Sequence, residues 1–154
     1  MARPAHTLYR LIYHSRQTPT VVADLDFNVR AVIRAAIRNN RAFGVTGLLI
    51  TVQGYFLQVL EGPEAAVRGA YKRISSDPRH SHIGIISSEP AEARLFRDWN
   101  MCARALAPSD EAILDVLDAK GVFNPAKLRP QVALGLLITV ADIQRRTALT
   151  ALMD

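Results

Sequence analysis

The sequence predicts an α+β fold: one sheet built in the order β-α-β-β-α-β-β, followed by a helical extension. Three observations carry that prediction. "TLYRLIYHS" alternates with the period of two that a pleated strand imposes. Val29, Val32, Ile33, Ala36 and Ile37 fall at the spacing of one helix face. Gln53-Gly54 stands between two strand-like runs, as in a tight antiparallel hairpin. The order is a ferredoxin-like split βαβ arrangement with one added strand, and it places both helices on one sheet face.

The first strand sends Leu8, Arg10 and Ile12 one way and Tyr9, Leu11 and Tyr13 the other. Both sets are mostly apolar, so this strand is expected to be covered on both faces. "RQTPT" then breaks the pattern. The first helix starts near Asp26, with Asp24 or Asp26 as cap, and closes at "RNNRAFG", where asparagines and a glycine suit a C-terminus. "VTGLLITV" and "YFLQVLE" are the second and third strands. "GPEAAVRGAYKRISSDP" is the second helix, opened by Pro63, closed by Pro78, and buried along Val67, Ala70, Tyr71 and Ile74. "SHIGIISSE" is the fourth strand, and "ARLFRDWNMCARA" contains the fifth.

From Pro108 onward the sequence reads as helical. "SDEAILDVLDAKG" is predicted as a helix with Ser109 as cap and Gly121 as stop, "NPAKLRP" as a turn or short helix, and "QVALGLLITVADIQRRTALTALM" as a longer helix. These helices are expected to cover the open sheet face or to offer an interface. The expected division is one sheet-and-helix domain over residues 7–104 and a helical extension over 108–154.

Composition narrows the function classes. Of 154 residues, 49% are hydrophobic and 21% charged, a globular balance with enough chain for one core. A lone cysteine, Cys102, rules out an intrachain disulfide. The N-terminus lacks a signal-peptide core, and the apolar run Val132 to Val140 is too short to span a bilayer. A cytoplasmic protein with no membrane partner is expected. The net charge of +5 comes mostly from dispersed arginines. The densest array, Arg30, Arg34, Arg38 and Arg41, reads as a solvated helix face rather than a nucleic-acid site.

Chemistry-bearing motifs are few. Neither GxGxxG nor a Walker pattern occurs, and no serine lies in a nucleophile elbow. His80 and His82 lack further ligands at metal-binding spacing, so no metal is expected. An acylphosphatase-like enzyme on this topology would need a phosphate loop after the first strand, but Arg16 is followed by Gln17 and Thr18 without a glycine-rich cradle. What remains is a set of polar groups on apolar elements: Tyr13, Asn39, Asn40 and Gln58, with Trp99 and Met101 two apart on the last strand. Burying the Gln58 amide without partners would cost about 1–3 kcal/mol. Such a phenol and amides either satisfy one another or ring a planar heteroaromatic ligand.

"LYRLIYHS", "RNNRAFGVTGLLI", "GYFLQVLEGP", "YKRISSDPRH" and "FRDWNM" occur in the order and spacing of the BLUF family, the blue-light sensors using FAD, and residues 7–101 resemble that family throughout. The resemblance implies the same ferredoxin-like fold and an FAD whose ring lies between the two helices. It implies that Tyr13 is the photoactive tyrosine and Gln58 the switching glutamine. By the same resemblance Asn39 and Asn40 hold the pyrimidine edge, Val32 and Ile74 flank the ring, and Arg73 and Asp77 stand at its pyrimidine end. Trp99 and Met101 match the pair that relays the signal. Val32 is smaller than the usual isoleucine or leucine, and Asn100 stands where serine is frequent. The implied function is a non-enzymatic photoreceptor. It would signal to a downstream protein effector supplied in trans or by a change of oligomeric state, and a homo-oligomer is expected. The alternative is a light-insensitive regulatory module on the same fold, against which the joint presence of Tyr13, Gln58 and Asn40 argues.

Overall fold

A computed structural model describes residues 8–19, 25–97 and 103–153. Trp99 and Met101, and the candidate cap Asp24, lie outside the described residues.

Five strands form one sheet: β1 (Leu8–Gln17), β2 (Thr46–Val52), β3 (Tyr55–Pro63), β4 (His80–Pro90) and β5 (Ala103–Leu106), in spatial order β4-β1-β3-β2-β5. The four longer strands pair antiparallel, and β5 adds to the β2 edge in parallel. The fold is thus the expected ferredoxin-like sheet with one added strand. The hairpin between β2 and β3 turns at Gln53 (φ 48°) and Gly54 (φ 86°), two left-handed residues that match the twist of the flanking strands.

Helices α1 (Leu25–Phe43) and α2 (Glu64–Ser75) cover one face of the sheet. Tyr9, Leu11 and Tyr13 from β1 and Leu60 from β3 pack there against Val67 and Ala70 of α2. Ile12 faces the other way, with Leu48, Ile50, Leu57 and Val59. The alternation read in the first strand therefore divides its residues between two cores. The second core is closed by α4 (Pro130–Met153), which contributes Ala133, Leu136, Leu137, Val140 and Ala141. The C-terminal helix takes the sheet face that α1 and α2 leave open.

Two boundaries differ from the sequence expectation. Asn39 and Asn40 do not close α1: the helix runs on to Phe43, and Gly44 at φ 72° ends it. The Val45 amide reaches back to the Asn40 carbonyl at 3.0 Å, the six-to-one bond of a Schellman ending. The asparagines therefore lie inside the last turns, and their side chains are not required for capping.

The helix expected from Ser109 to Gly121 shrinks to one turn, α3 (Glu111–Leu114), with Asp110 rather than Ser109 at its N-cap. The cause is Asp118. Its carboxylate accepts the Lys120 and Val122 amides at 2.8 and 2.9 Å, and Gly121 takes φ 75°. A side chain that bonds its own backbone two and four residues on stabilises a turn in competition with the helix. A 3-10 turn at Pro125–Lys127, capped by the Asn124 side chain, leads into α4.

Candidate functional site

The site begins with two strands in register. Tyr13 of β1 and Gln58 of β3 are paired partners, and both side chains point toward α1 and α2. Tyr13 is fully buried and Gln58 is 1% exposed. The Tyr13 hydroxyl donates a hydrogen bond to the Gln58 side-chain oxygen. Burial raises the phenol's pKa well above its ordinary value, and the neighbouring Tyr71 and Asp77 add to the effect. Tyr13 is therefore held in its protonated, donating form.

Above this pair lies a cleft of about 80 Å³, open to solvent, between α1 and α2. Val32, Ala35 and Ala36 wall it from α1, and Ala70 and Ile74 from α2. Its polar groups are Asn39, Asn40, Gln58, Arg73, Asp77, Arg79 and His80. The structure thus brings together Val32, Asn39, Asn40, Gln58, Arg73, Ile74 and Asp77, with Tyr13 bonded to Gln58 beside them. Asn40 is buried and Asn39 exposed, as neighbours on a helix rim should differ.

Ala35, Ala36, Ala70, Arg79 and His80 are lining residues that sequence reasoning missed. The alanines matter by leaving space, which no motif announces. His80 was visible as half of the His80–His82 pair and at the end of "YKRISSDPRH", but without a role. In the structure its Nδ1 bonds the Ser15 hydroxyl at 2.7 Å, and its ring leans on Phe56 with centroids 4.7 Å apart. The other ring nitrogen, Nε2, is buried without a hydrogen-bond partner among the described residues. Burial lowers the His80 pKa to about 4, with Asp77 opposing and Arg79 adding to the shift. The ring is neutral at pH 7. Asp77 is held in place by Arg79 at 2.5–3.0 Å through both carboxylate oxygens. Burial opposes its charge, but Arg79 outweighs that and lowers the Asp77 pKa.

An aliphatic-walled cleft with amides, a carboxylate, a guanidinium and an unpaired imidazole nitrogen among its lining groups suits an apolar ring system with a polar edge. An isoalloxazine ring has that character: an apolar benzenoid end and a pyrimidine end rich in donors and acceptors. The residues present fit the group.

Gln58 is linked to the far edge of the sheet through its own strand. Glu61, three residues on, is fully buried on the opposite face. Its carboxylate accepts the Leu95 and Phe96 amides at 2.8–3.1 Å and Arg10 Nε at 2.8 Å. Arg94 clamps the same place from the other side, reaching Thr46 Oγ1 and the Gly44 and Glu61 carbonyls at 2.6–3.1 Å. The segment that precedes β5 is thereby pinned to β3.

Comparison with known proteins identifies the family. The family model described as BLUF, sensors of blue light using FAD, matches residues 8–102. The photoactivated adenylate cyclase subunit beta of Euglena gracilis is 38% identical over 96 residues, covering 62% of this chain and 11% of that protein. The chain thus corresponds to about a ninth of the length of that curated relative. The dark-state structure of BlrB, a BLUF protein, superposes with a TM-score of 0.69 at 28% identity over 90% of this chain and 98% of that one. A bacterial light-regulated adenylyl cyclase matches with a TM-score of 0.63 at 31% identity, over 71% of this chain and 32% of that one. Photo-activated BlsA, at 24% identity and a TM-score of 0.76, shares the fold.

Proposed function

This chain belongs to the BLUF family of flavin-binding blue-light sensors, whose cofactor is FAD, and we propose that Tyr13 and Gln58 are the two parts of its light-operated switch. One observation carries the reading: a buried phenol donates to a buried amide at paired positions of β1 and β3, beneath a cleft suited to a flavin ring. Asn39, Asn40, Arg73 and Asp77 would hold the polar edge of the ring, and Val32 and Ile74 would flank it.

Bound FAD supplies blue-light absorption and the capacity to accept an electron and a proton transiently. Tyr13, whose phenol is kept protonated and whose hydroxyl donates to Gln58, is the residue that would supply both. Gln58 is the group that stores the outcome. Its side chain carries an acceptor oxygen and a donor nitrogen, so turning over or tautomerising exchanges what it presents to Tyr13 and to the cleft. A net hydrogen bond is worth about 1 kcal/mol, so the two arrangements differ by a few kcal/mol at most. A gap of that size permits spontaneous return in darkness.

The output runs along β3. A changed bond at Gln58 shifts the strand that carries Glu61, and Glu61 holds the Leu95 and Phe96 amides ahead of β5. Leu106 of β5 packs in one core with Ile113 and with Leu136, Leu137 and Val140 of α4. This route leads to a surface outside the flavin site, where the chain signals to a protein effector in trans or changes its oligomeric state. Trp99 and Met101 stand between Phe96 and β5 in sequence, as relay residues should. The chain is read as a sensor without catalytic turnover of its own. None of the helices among the described residues is long and apolar enough to cross a membrane.

The test is direct. The protein loaded with FAD is expected to show a small red shift of its flavin band under blue light, reversing in darkness. A protein that takes up no flavin, or shows no shift, would refute the reading.

A further inference from the structure

The outer face of α1 carries a row of charge that the cleft does not use. Arg30, Arg34, Arg38 and Arg41 are all exposed, and none of them lines the cleft. At 3.6 residues per turn they fall, with Phe27, within an arc of about 80°. Buried Val32 and Asn40 lie on the opposite side of the helix. α1 holds one acid, Asp26, and it precedes the row. Among the described residues the ion pairs are Arg10–Glu61, Arg68–Glu64 and Arg79–Asp77, and none of the four arginines takes part. Like charges four residues apart destabilise a helix, and Arg30–Arg34 and Arg34–Arg38 are such pairs. An acidic partner would turn that repulsion into attraction.

We propose that this row is a docking face for an acidic helix of the protein effector, an anchor that holds in light and darkness alike. The inference rests on the reading of a protein effector in trans, not on the Tyr13–Gln58 switch. Arginines four apart rise about 6 Å along the axis, as do glutamates one turn apart on a facing helix. The planar fork of arginine takes a carboxylate through two parallel bonds. Beside the row stand Ala31, Ala42 and Phe27, which is 67% exposed. Arginine with an aromatic anchor is the composition of a protein interface, from which lysine is depleted. The row lacks the lysine, serine, threonine and glutamine side chains that accompany arginine on a nucleic-acid backbone. Because none of the four lines the cleft, a rearrangement at Gln58 leaves the anchor unchanged.

The probe is an alanine-rich helical peptide of about 20 residues with glutamate at every fourth position and a far-red label. Its glutamine counterpart is the control. Binding to the full FAD-loaded chain is read by fluorescence anisotropy, with and without blue light. The glutamate peptide is expected to bind about tenfold tighter than the glutamine peptide, equally in light and darkness, and to weaken as salt rises. Arg34→Gln combined with Arg38→Gln is expected to remove that preference. Lys127→Gln combined with Arg129→Gln removes the same charge from the α4 side of the sheet and is expected to keep it. Unaltered thermal midpoints show that both variants are folded. Equal affinity for the two peptides would overturn the proposal, as would equal losses in both variants or a preference present in only one light state. Tighter binding of a single-stranded oligonucleotide of equal charge through the same arginines would overturn it in favour of nucleic acid. Each of these results leaves the switch standing if the flavin band still shifts reversibly. A missing shift with the peptide preference intact would refute the switch and not the anchor.

Discussion

Glu61 and Phe96 are joined by a hydrogen bond of 2.8 Å from a buried main-chain amide to a buried carboxylate, 35 residues apart in sequence. The same carboxylate holds the Leu95 amide and the Arg10 guanidinium, so three donors depend on one side chain. Glu61→Ala leaves two amides and a largely buried arginine without their acceptor. Breaking a buried pair from one side is expected to cost about 3–5 kcal/mol. Thermal or urea unfolding measures it. Glu61→Gln, which keeps an acceptor oxygen, should lose less. Equal stability of Glu61→Ala and the unaltered protein would contradict the clasp.

The same clasp predicts where light should be felt. Hydrogen exchange compared between illuminated and dark protein is expected to change at the Leu95 and Phe96 amides and at β5. Absence of any change across residues 95–154 would remove the proposed route from Gln58 to the helical extension.

His80 gives a pH dependence. Its pKa is lowered from 6.5 in the unfolded chain to about 4 in the folded protein. Between those values the unfolded chain takes up a proton that the folded protein refuses. The stability from the neutral, buried ring is therefore complete above pH 6.5 and lost progressively as the pH falls toward 4. The loss is of the order of 3 kcal/mol, from about 1.4 kcal/mol for each pH unit. His80→Gln should flatten the stability profile in that window. A profile as steep in the variant as in the unaltered protein would assign the effect elsewhere.

Gly62 marks a close approach of two chain segments. A Cβ there would lie 2.8 Å from the Gly44 carbonyl oxygen and 3.2 Å from the Val45 Cα, both backbone atoms. Gly62→Ala is expected to destabilise by about 1–3 kcal/mol, as overpacking does. It should also loosen the end of α1, where Gly44 and Val45 close the helix. Unfolding midpoints and exchange at the Val45 amide test both effects.

Much of this was legible in the sequence because strand periodicity is rigid. Alternation assigns Tyr13 and Gln58 each to a face, but their pairing depends on the β1–β3 register, which only the structure shows. The two-core division of the first strand followed from the same alternation. The one-turn α3 was not legible in the same way. Its apolar stripe is genuine, and Ile113 is buried, but the turn-forming carboxylate of Asp118 overrides helical spacing. The alanine walls of the cleft were invisible because their contribution is the absence of bulk. His80 was hidden because its partner, Ser15, lies 65 residues away on a strand that only the fold sets beside it.

The central claim is that the Tyr13–Gln58 pair is the switch. The most direct measurement is the blue-light-minus-dark absorption spectrum of FAD-loaded protein, recorded beside Tyr13→Phe and Gln58→Leu. Both variants are expected to retain bound flavin and to lose the reversible red shift that the unaltered protein shows. A normal, reversible shift in Gln58→Leu would contradict the account.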